Sequence, residues 1–128
     1  VDLQEFVDNF SSSPYKDKAV IMINNLRDRI ARKYYETGRL YLKMNNYDSA
    51  LYYYNLLLRD YYDTKFADDA RISKIFCYIL MDDFEGAQNY FDEEIGNFSM
   101  EEKLNEASSM FIKYKEGIGL DGLYRLYK

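Results

Sequence analysis

Apolar residues recur at three-to-four spacing along almost the whole chain, and strict alternation never persists, so the pattern predicts helices and no strand. Leu3, Phe6, Val7 and Phe10 share one helical face. Ser11-Ser12-Ser13-Pro14 then reads as a turn, with Ser13 as N-cap and Pro14 at the first helical position, where its missing N–H costs nothing. A helix over 14–45 follows: Ala19, Ile23, Leu26, Ile30, Tyr34, Gly38 and Tyr41 hold the spacing, and no stop signal comes before Asn45-Asn46. At 1.5 Å per residue such a rod is about 45 Å long, although Gly38 weakens it by roughly 1 kcal/mol. Asn46 is a suitable cap for the next helix, which carries Ala50, Tyr54, Leu57 and Leu58. A turn over 60–65 leads, with Asp63 or Thr64 as cap, into a helix bearing Phe66, Ala70, Ile72, Ile75, Phe76 and Ile79. Asp82-Asp83 opens another, with Phe84, Ala87, Phe91 and Ile95, ended by Gly96-Asn97. Ser99-x-x-Glu102 reads as a capping box for a final helix through Leu104, Ala107, Met110, Phe111 and Tyr114. Gly117, Gly119 and Gly122 loosen the chain beyond it, and 122–128 reads as a short amphipathic turn.

Within this pattern Tyr47-x-x-Ala50-x-x-x-Tyr54 recurs as Phe84-x-x-Ala87-x-x-x-Phe91, 37 residues on. A small residue and a ring four apart lie on one helix face, so a neighbour approaches closely at the alanine and the ring fills the next gap. Repetition near this period predicts stacked helical pairs. Residues 31–64 resemble the tetratricopeptide repeat: Tyr34 opens the first helix, Gly38 and Tyr41 follow, and Ala50 and Tyr54 come on the second. Tyr62 stands where that repeat usually closes with proline. The unit at 68–101 matches at Tyr78, Ala87 and Phe91, residues 1–10 look like the end of a preceding repeat, and 99–115 like the first helix of a further one. The expected fold is therefore all-α: one domain over 1–128, a tetratricopeptide-like solenoid of helical hairpins with one unusually long helix.

A more specific likeness lies in Asn25-Leu26-Arg27-Asp28-Arg29-Ile30-Ala31, in Asn46-Tyr47-Asp48-Ser49-Ala50, and in Leu58-Arg59-Asp60-Tyr61-Tyr62-Asp63-Thr64. Together with the abnormal helix length, these resemble the BamD (YfiO) family, the lipoproteins of the bacterial outer-membrane β-barrel assembly machinery. The likeness covers roughly 1–98, corresponding to the C-terminal half of that family. It implies a non-catalytic protein–protein interaction scaffold at the periplasmic face of the outer membrane, holding a partner subunit of the assembly complex. The alternative is a periplasmic adaptor of the same fold that stabilises another envelope protein outside barrel assembly.

Composition narrows the chemistry. Among 128 residues there is no His, which removes imidazole acid–base work, His-activated nucleophiles and His-ligated metal. Cys77 is the one cysteine, so no internal disulfide forms; within Ile75-Phe76-Cys77-Tyr78-Ile79 it reads as a small buried hydrophobe. The acidic groups Asp82, Asp83 and Glu85, and Asp92, Glu93 and Glu94, lack the alternating spacing of a calcium loop and read as charges complementing helix N-termini. An enzyme of the hydrolase class using them is the weakest reading. We expect no catalytic residue, cofactor or metal. No run of apolar residues is long enough to span a membrane. Because Val1 stands in place of an initiator Met, we expect a mature or trimmed segment, with any signal or lipid-bearing cysteine upstream. The net charge of −5 disfavours nucleic acid.

Charge is uneven. Residues 27–43 carry six Lys or Arg against Asp28 and Glu36, and 82–106 carry nine Asp or Glu against Lys103. Most such runs are solvated faces. In a tetratricopeptide array the first helix of each pair lines the concave groove, and this register puts Arg32, Tyr35, Arg39, Leu42 and Lys43 on that side. Phe76 and Ile79, with Ile72, would add an apolar wall from the next unit. A basic rim beside an apolar wall suits a peptide bearing carboxylates. Of Tyr52, Tyr53 and Tyr54, the repeat position sends Tyr54 to the core and leaves Tyr52 or Tyr53 partly exposed.

Overall fold

The computed structural model describes residues 15–116, and within them the chain is helical with no strand. Five helices follow in order: α1 (Lys16–Lys43), α2 (Tyr47–Asp60), α3 (Ala67–Leu80), α4 (Phe84–Glu94) and α5 (Glu101–Lys115). The 28 residues of α1 make it twice the length of α2. Each helix packs on the next along α1, α2, α3 and α4; α3 also meets α5 and α1. The expected helix over 1–10, the Ser13-Pro14 start and the turn over 122–128 lie outside the described residues.

The 37-residue repetition extends into the turns, and the backbone shows why. After α1, Asn45 takes a left-handed φ of 59°, its N–H reaches Leu42 O, and the N–H of Asn46 reaches Tyr41 O. After α3, Asp82 takes the same φ of 59°, its N–H reaches Ile79 O, and the N–H of Asp83 reaches Tyr78 O. Both are Schellman closures, with Asn or Asp in the left-handed position usually held by glycine. The next residue in each then caps the following helix: Asn46 accepts from the Ser49 N–H at 3.2 Å, and Asp83 from the Gly86 N–H at 2.9 Å. Two different sequences thus build one hairpin turn, and the small-plus-ring pairs behind it, Ala50 with Tyr54 and Ala87 with Phe91, are all buried.

Two expected caps are not formed. Asp63 and Thr64 do not cap α3, whose N-cap is Phe66 with no side-chain bond. Asp63 is held by Arg27 instead, and Thr64 Oγ1 donates to Tyr61 O at 2.8 Å. The capping box at Ser99 is likewise absent: α5 starts one residue later, with Met100 as N-cap and no side-chain bond, while the Ser99 N–H and hydroxyl both donate to Asp68 on α3.

The core runs the length of the stack, from Ala31 and Leu42 through Tyr54, Leu57, Ile75 and Phe76 to Ala107, Met110 and Phe111. Cys77 is fully buried, and burial pushes its thiol up to about 12. Tyr54 is 0% exposed while Tyr52 is 59% exposed, as the repeat position predicts. The small residue at 38 is required by that ring: a Cβ there would sit 2.6 Å from Tyr54 Cε1 and 2.9 Å from Cζ. A buried ring cannot retreat, so Gly38→Ala sets overpacking of about 1–3 kcal/mol against the roughly 1 kcal/mol that alanine gains in a helix. We expect a net loss of about 1 kcal/mol by urea denaturation, reduced when Tyr54→Leu is combined with it. A more stable Gly38→Ala protein would show that the ring is free to move.

Candidate protein-binding surface

Arg32, Tyr35, Arg39 and Lys43 lie three or four residues apart, so helix geometry sets them along one stripe of α1. Arg32 is exposed and forms an i,i+4 pair with Glu36, Nε to Oε1 at 3.0 Å. Arg39 and Lys43 are exposed and frame, with Glu36, a shallow hollow whose floor is Leu40, 56% exposed. Tyr35 is half-buried, its ring 6.1 Å from Tyr54 and 6.3 Å from Phe66.

Three helices contribute around that tyrosine. Burial raises the Tyr35 phenol above its usual value, and the Asp69 carboxylate adds to the rise; the Ser73 hydroxyl and the Arg39 and Lys103 cations act the other way. Asp69 and Ser73 are on α3 and Lys103 is on α5. Lys103 Nζ is 2.9 Å from Asp69 Oδ1 and 3.6 Å from Glu106 Oε2, and the first of these contacts holds its ammonium above the ordinary lysine range. The result is a polar floor of alternating charge beside the basic stripe of α1.

Phe76 and Ile79 do not join this surface. Each is 1% exposed, and the expected apolar wall is corrected to core. The cause is the position of α3, which touches α1, α2, α4 and α5 and buries nine of its fourteen residues. Ile72, also offered for the wall, is 6% exposed, and Leu42, expected on the groove side of α1, is 2% exposed and belongs to the core. The apolar element beside Arg39 and Lys43 is Leu40, one residue from a predicted position and visible in the sequence only as a leucine on an otherwise polar stripe.

Two ionic constellations went unread in the sequence. Asp68 is 1% exposed and accepts from Arg71 Nη1 at 2.8 Å, from the Ser99 hydroxyl at 3.0 Å and from the Ser99 and Met100 N–H groups at 3.1 and 3.0 Å. Arg71, also buried, reaches Glu94 with Nε at 3.3 Å and lies over the Phe98 ring. This network ties the α4–α5 connection to α3. Of the acidic runs, Glu94 is absorbed here and Asp83 serves as a cap; Asp92 accepts from Gln88 Nε2 at 3.1 Å.

The second constellation joins the two stretches that carry the family likeness. Arg27, in the Leu26-Arg27-Asp28-Arg29 run of α1, grips Asp63 with both terminal nitrogens, at 2.8 and 2.7 Å. It also donates to Asp60 O at 3.0 Å and covers the Tyr61 ring. So the α2–α3 turn is clamped to the long helix by a forked guanidinium. A comparison with protein-family models matches residues 1–111 to YfiO, described as outer membrane lipoprotein.

The chain belongs to the YfiO family. No curated protein matches the sequence. Membership places this chain among envelope proteins, and no helix among the described residues is long and apolar enough to cross a membrane.

The Arg27–Asp63 clamp has a pH signature. Its hydrogen bond to Arg27 holds the Asp63 carboxyl below the usual carboxylate range, against an opposing push from burial. A lowered folded value means stability present above the unfolded value, about 3.9, and lost as pH falls below it. The side chain of Asp63 is 48% exposed, so water screens the pair, and we expect about 1 kcal/mol or less. Arg27→Ala should therefore lower urea stability at neutral pH by about that amount and by less near pH 2, where only the contacts to Asp60 O and the Tyr61 ring are lost. An equal loss at both pH values would assign Arg27 a packing role instead.

Proposed function

We propose that this YfiO-family chain is a non-catalytic scaffold of the bacterial cell envelope, a tetratricopeptide-like solenoid at the periplasmic face of the outer membrane. By its resemblance to BamD it serves barrel assembly, holding another subunit of that complex. The observation that carries this reading is the stripe of α1 whose cations Arg32, Arg39 and Lys43 are solvent-exposed, beside Leu40 and beside the polar floor from α3 and α5. Support for the solenoid comes from two hairpins with one turn geometry at a fixed offset. Arg32, Tyr35, Arg39 and Lys43 form the contact surface: the cations meet carboxylates, the phenol edge and Leu40 meet apolar side chains. Phe76 and Ile79 support this surface from beneath.

The test is charge reversal with affinity capture from the protein's own cells. The unaltered chain should recover the large barrel subunit. Arg39→Glu with Lys43→Glu should keep the helical signal and melting temperature and weaken capture about tenfold or more, as expected when cations facing carboxylates become like charges. Undiminished capture rejects this surface. Recovery of a different envelope protein, with no barrel subunit, moves the chain to the adaptor role outside barrel assembly.

A further inference from the structure

Tyrosines from α1 and α2 interleave in a row along the seam of that hairpin. In order they are Tyr41, Tyr53, Tyr34 and Tyr61, with ring centroids 5.5, 6.4 and 6.0 Å apart in turn. Tyr41 and Tyr53 lie nearly parallel, 7° apart, and Tyr52 meets Tyr53 edge-on at 5.3 Å. The four rings of the row are half-buried and Tyr52 is 59% exposed, so all five keep surface in solvent. α3 packs on a different face of the hairpin, around Tyr35, Tyr54 and Phe66. Among the described residues no hydrogen bond takes up the hydroxyls of these five rings. The two cations beside the row are already tied to carboxylates: Arg27, over the Tyr61 ring, to Asp63 at 2.7 Å, and Arg59, near Tyr34 and Tyr52, to Asp60 at 2.8 Å.

We propose that this tyrosine row is a docking surface for an uncharged, proline-rich segment of a partner protein, bound as a polyproline II helix. Three properties of the row select that chemistry. The first is hydrogen-bond complementarity. Each phenol carries an O–H donor, and a proline-rich strand offers solvated carbonyl acceptors while its prolines have no N–H of their own. The second is charge. With Arg27 and Arg59 each neutralised by its own carboxylate, the row presents rings and donors with no net charge, which suits a neutral strand better than an acidic or basic one. The third is period. Tyr34 and Tyr41 are about 10 Å apart along α1, close to the rise of about 9 Å in one three-residue turn of polyproline II. Successive prolines on one edge of the ligand then meet successive notches of the row. A polyproline strand is also stiff before it binds, so docking on aromatic ridges costs it little order. This surface is separate from the Arg39 and Lys43 stripe, and the assignment does not rest on the envelope role.

The full chain is titrated with an oligoproline peptide while the tyrosine ring resonances are followed by NMR, with a Gly-Ser peptide of the same length as the flexible control. Oligoproline should shift the rings of Tyr34, Tyr41, Tyr52, Tyr53 and Tyr61 saturably and leave Tyr78 and Tyr90, on α3 and α4, where they are. Tyr34→Phe with Tyr53→Phe keeps both rings and removes two donors, so the melting temperature should hold while affinity falls about tenfold. Tyr52→Ala, at an exposed position, should weaken binding without touching the core. Arg39→Glu with Lys43→Glu should leave oligoproline binding unchanged, which keeps this result apart from the capture experiment. The proposal is overturned by the absence of a saturable shift, by equal shifts from the Gly-Ser peptide, or by full affinity in both the Phe double variant and Tyr52→Ala. Shifts of the same rings by a soluble glycan strand and not by oligoproline also overturn it, and give the row to a sugar.

Discussion

Asp68→Ala is expected to lower the unfolding free energy by about 3–5 kcal/mol, the range for breaking a buried ion pair by removing one partner. The loss is concentrated on Arg71, which is 6% exposed and would keep only the longer contact to Glu94. The Ser99 and Met100 N–H groups lose their acceptor too, but both residues lie at the surface and water replaces part of that bond. Asp68→Asn keeps the shape and one acceptor oxygen, so it should recover a fraction of the loss. The informative companion is Asp68→Ala with Arg71→Met. With both charges gone nothing is stranded, and the double variant should be more stable than Asp68→Ala alone. Urea denaturation reads the energies, and amide hydrogen exchange at Ser99 and Met100 reads the local effect, expected to quicken in every variant lacking the carboxylate. A loss under about 1 kcal/mol in Asp68→Ala would mean that Arg71 finds full compensation elsewhere.

The helices and the turns before α2 and α4 were legible because their determinants are local. Apolar spacing sets the helices. At each turn an Asn or Asp pair supplies first the left-handed residue and then the cap of the next helix. The missed caps at Asp63 and Ser99 share a reason of another kind, whereas Thr64 turns to the nearby Tyr61 carbonyl. Each of these residues has a good local role, and other contacts take precedence: Arg27 reaches Asp63 from 36 positions away in sequence, and Asp68 reaches Ser99 from 31. A bidentate guanidinium or a buried carboxylate offers a capping residue a stronger bond than its own helix start does. That Arg32, Tyr35, Arg39 and Lys43 share a stripe of α1 was legible for the same local reason as the helices, since residues of one face follow from spacing. The floor beside it was not, because Asp69, Ser73 and Lys103 meet Tyr35 only once α3 and α5 have packed.

Phe76 yields the second large effect. Sequence register places it on the groove side of its helix, where an exposed ring would anchor a partner. Register gives the direction of a side chain and leaves open whether another helix already stands there. Around α3 the helices on both sides, together with α1 and α5, close over that direction. Phe76→Ala is therefore expected to behave as a core truncation, costing about 3–5 kcal/mol, with the melting temperature falling accordingly. An exposed anchor would behave oppositely, with near-native stability and weakened capture of the partner. The contrast with Arg39→Glu and Lys43→Glu is the decisive comparison, because those residues are exposed and should change capture without changing the melt. Ile79→Ala, equally buried, should follow Phe76→Ala with a loss of about 2–5 kcal/mol. If instead Phe76→Ala melts like the unaltered chain, α1 and α5 pack only loosely across α3, and the groove regains its apolar wall.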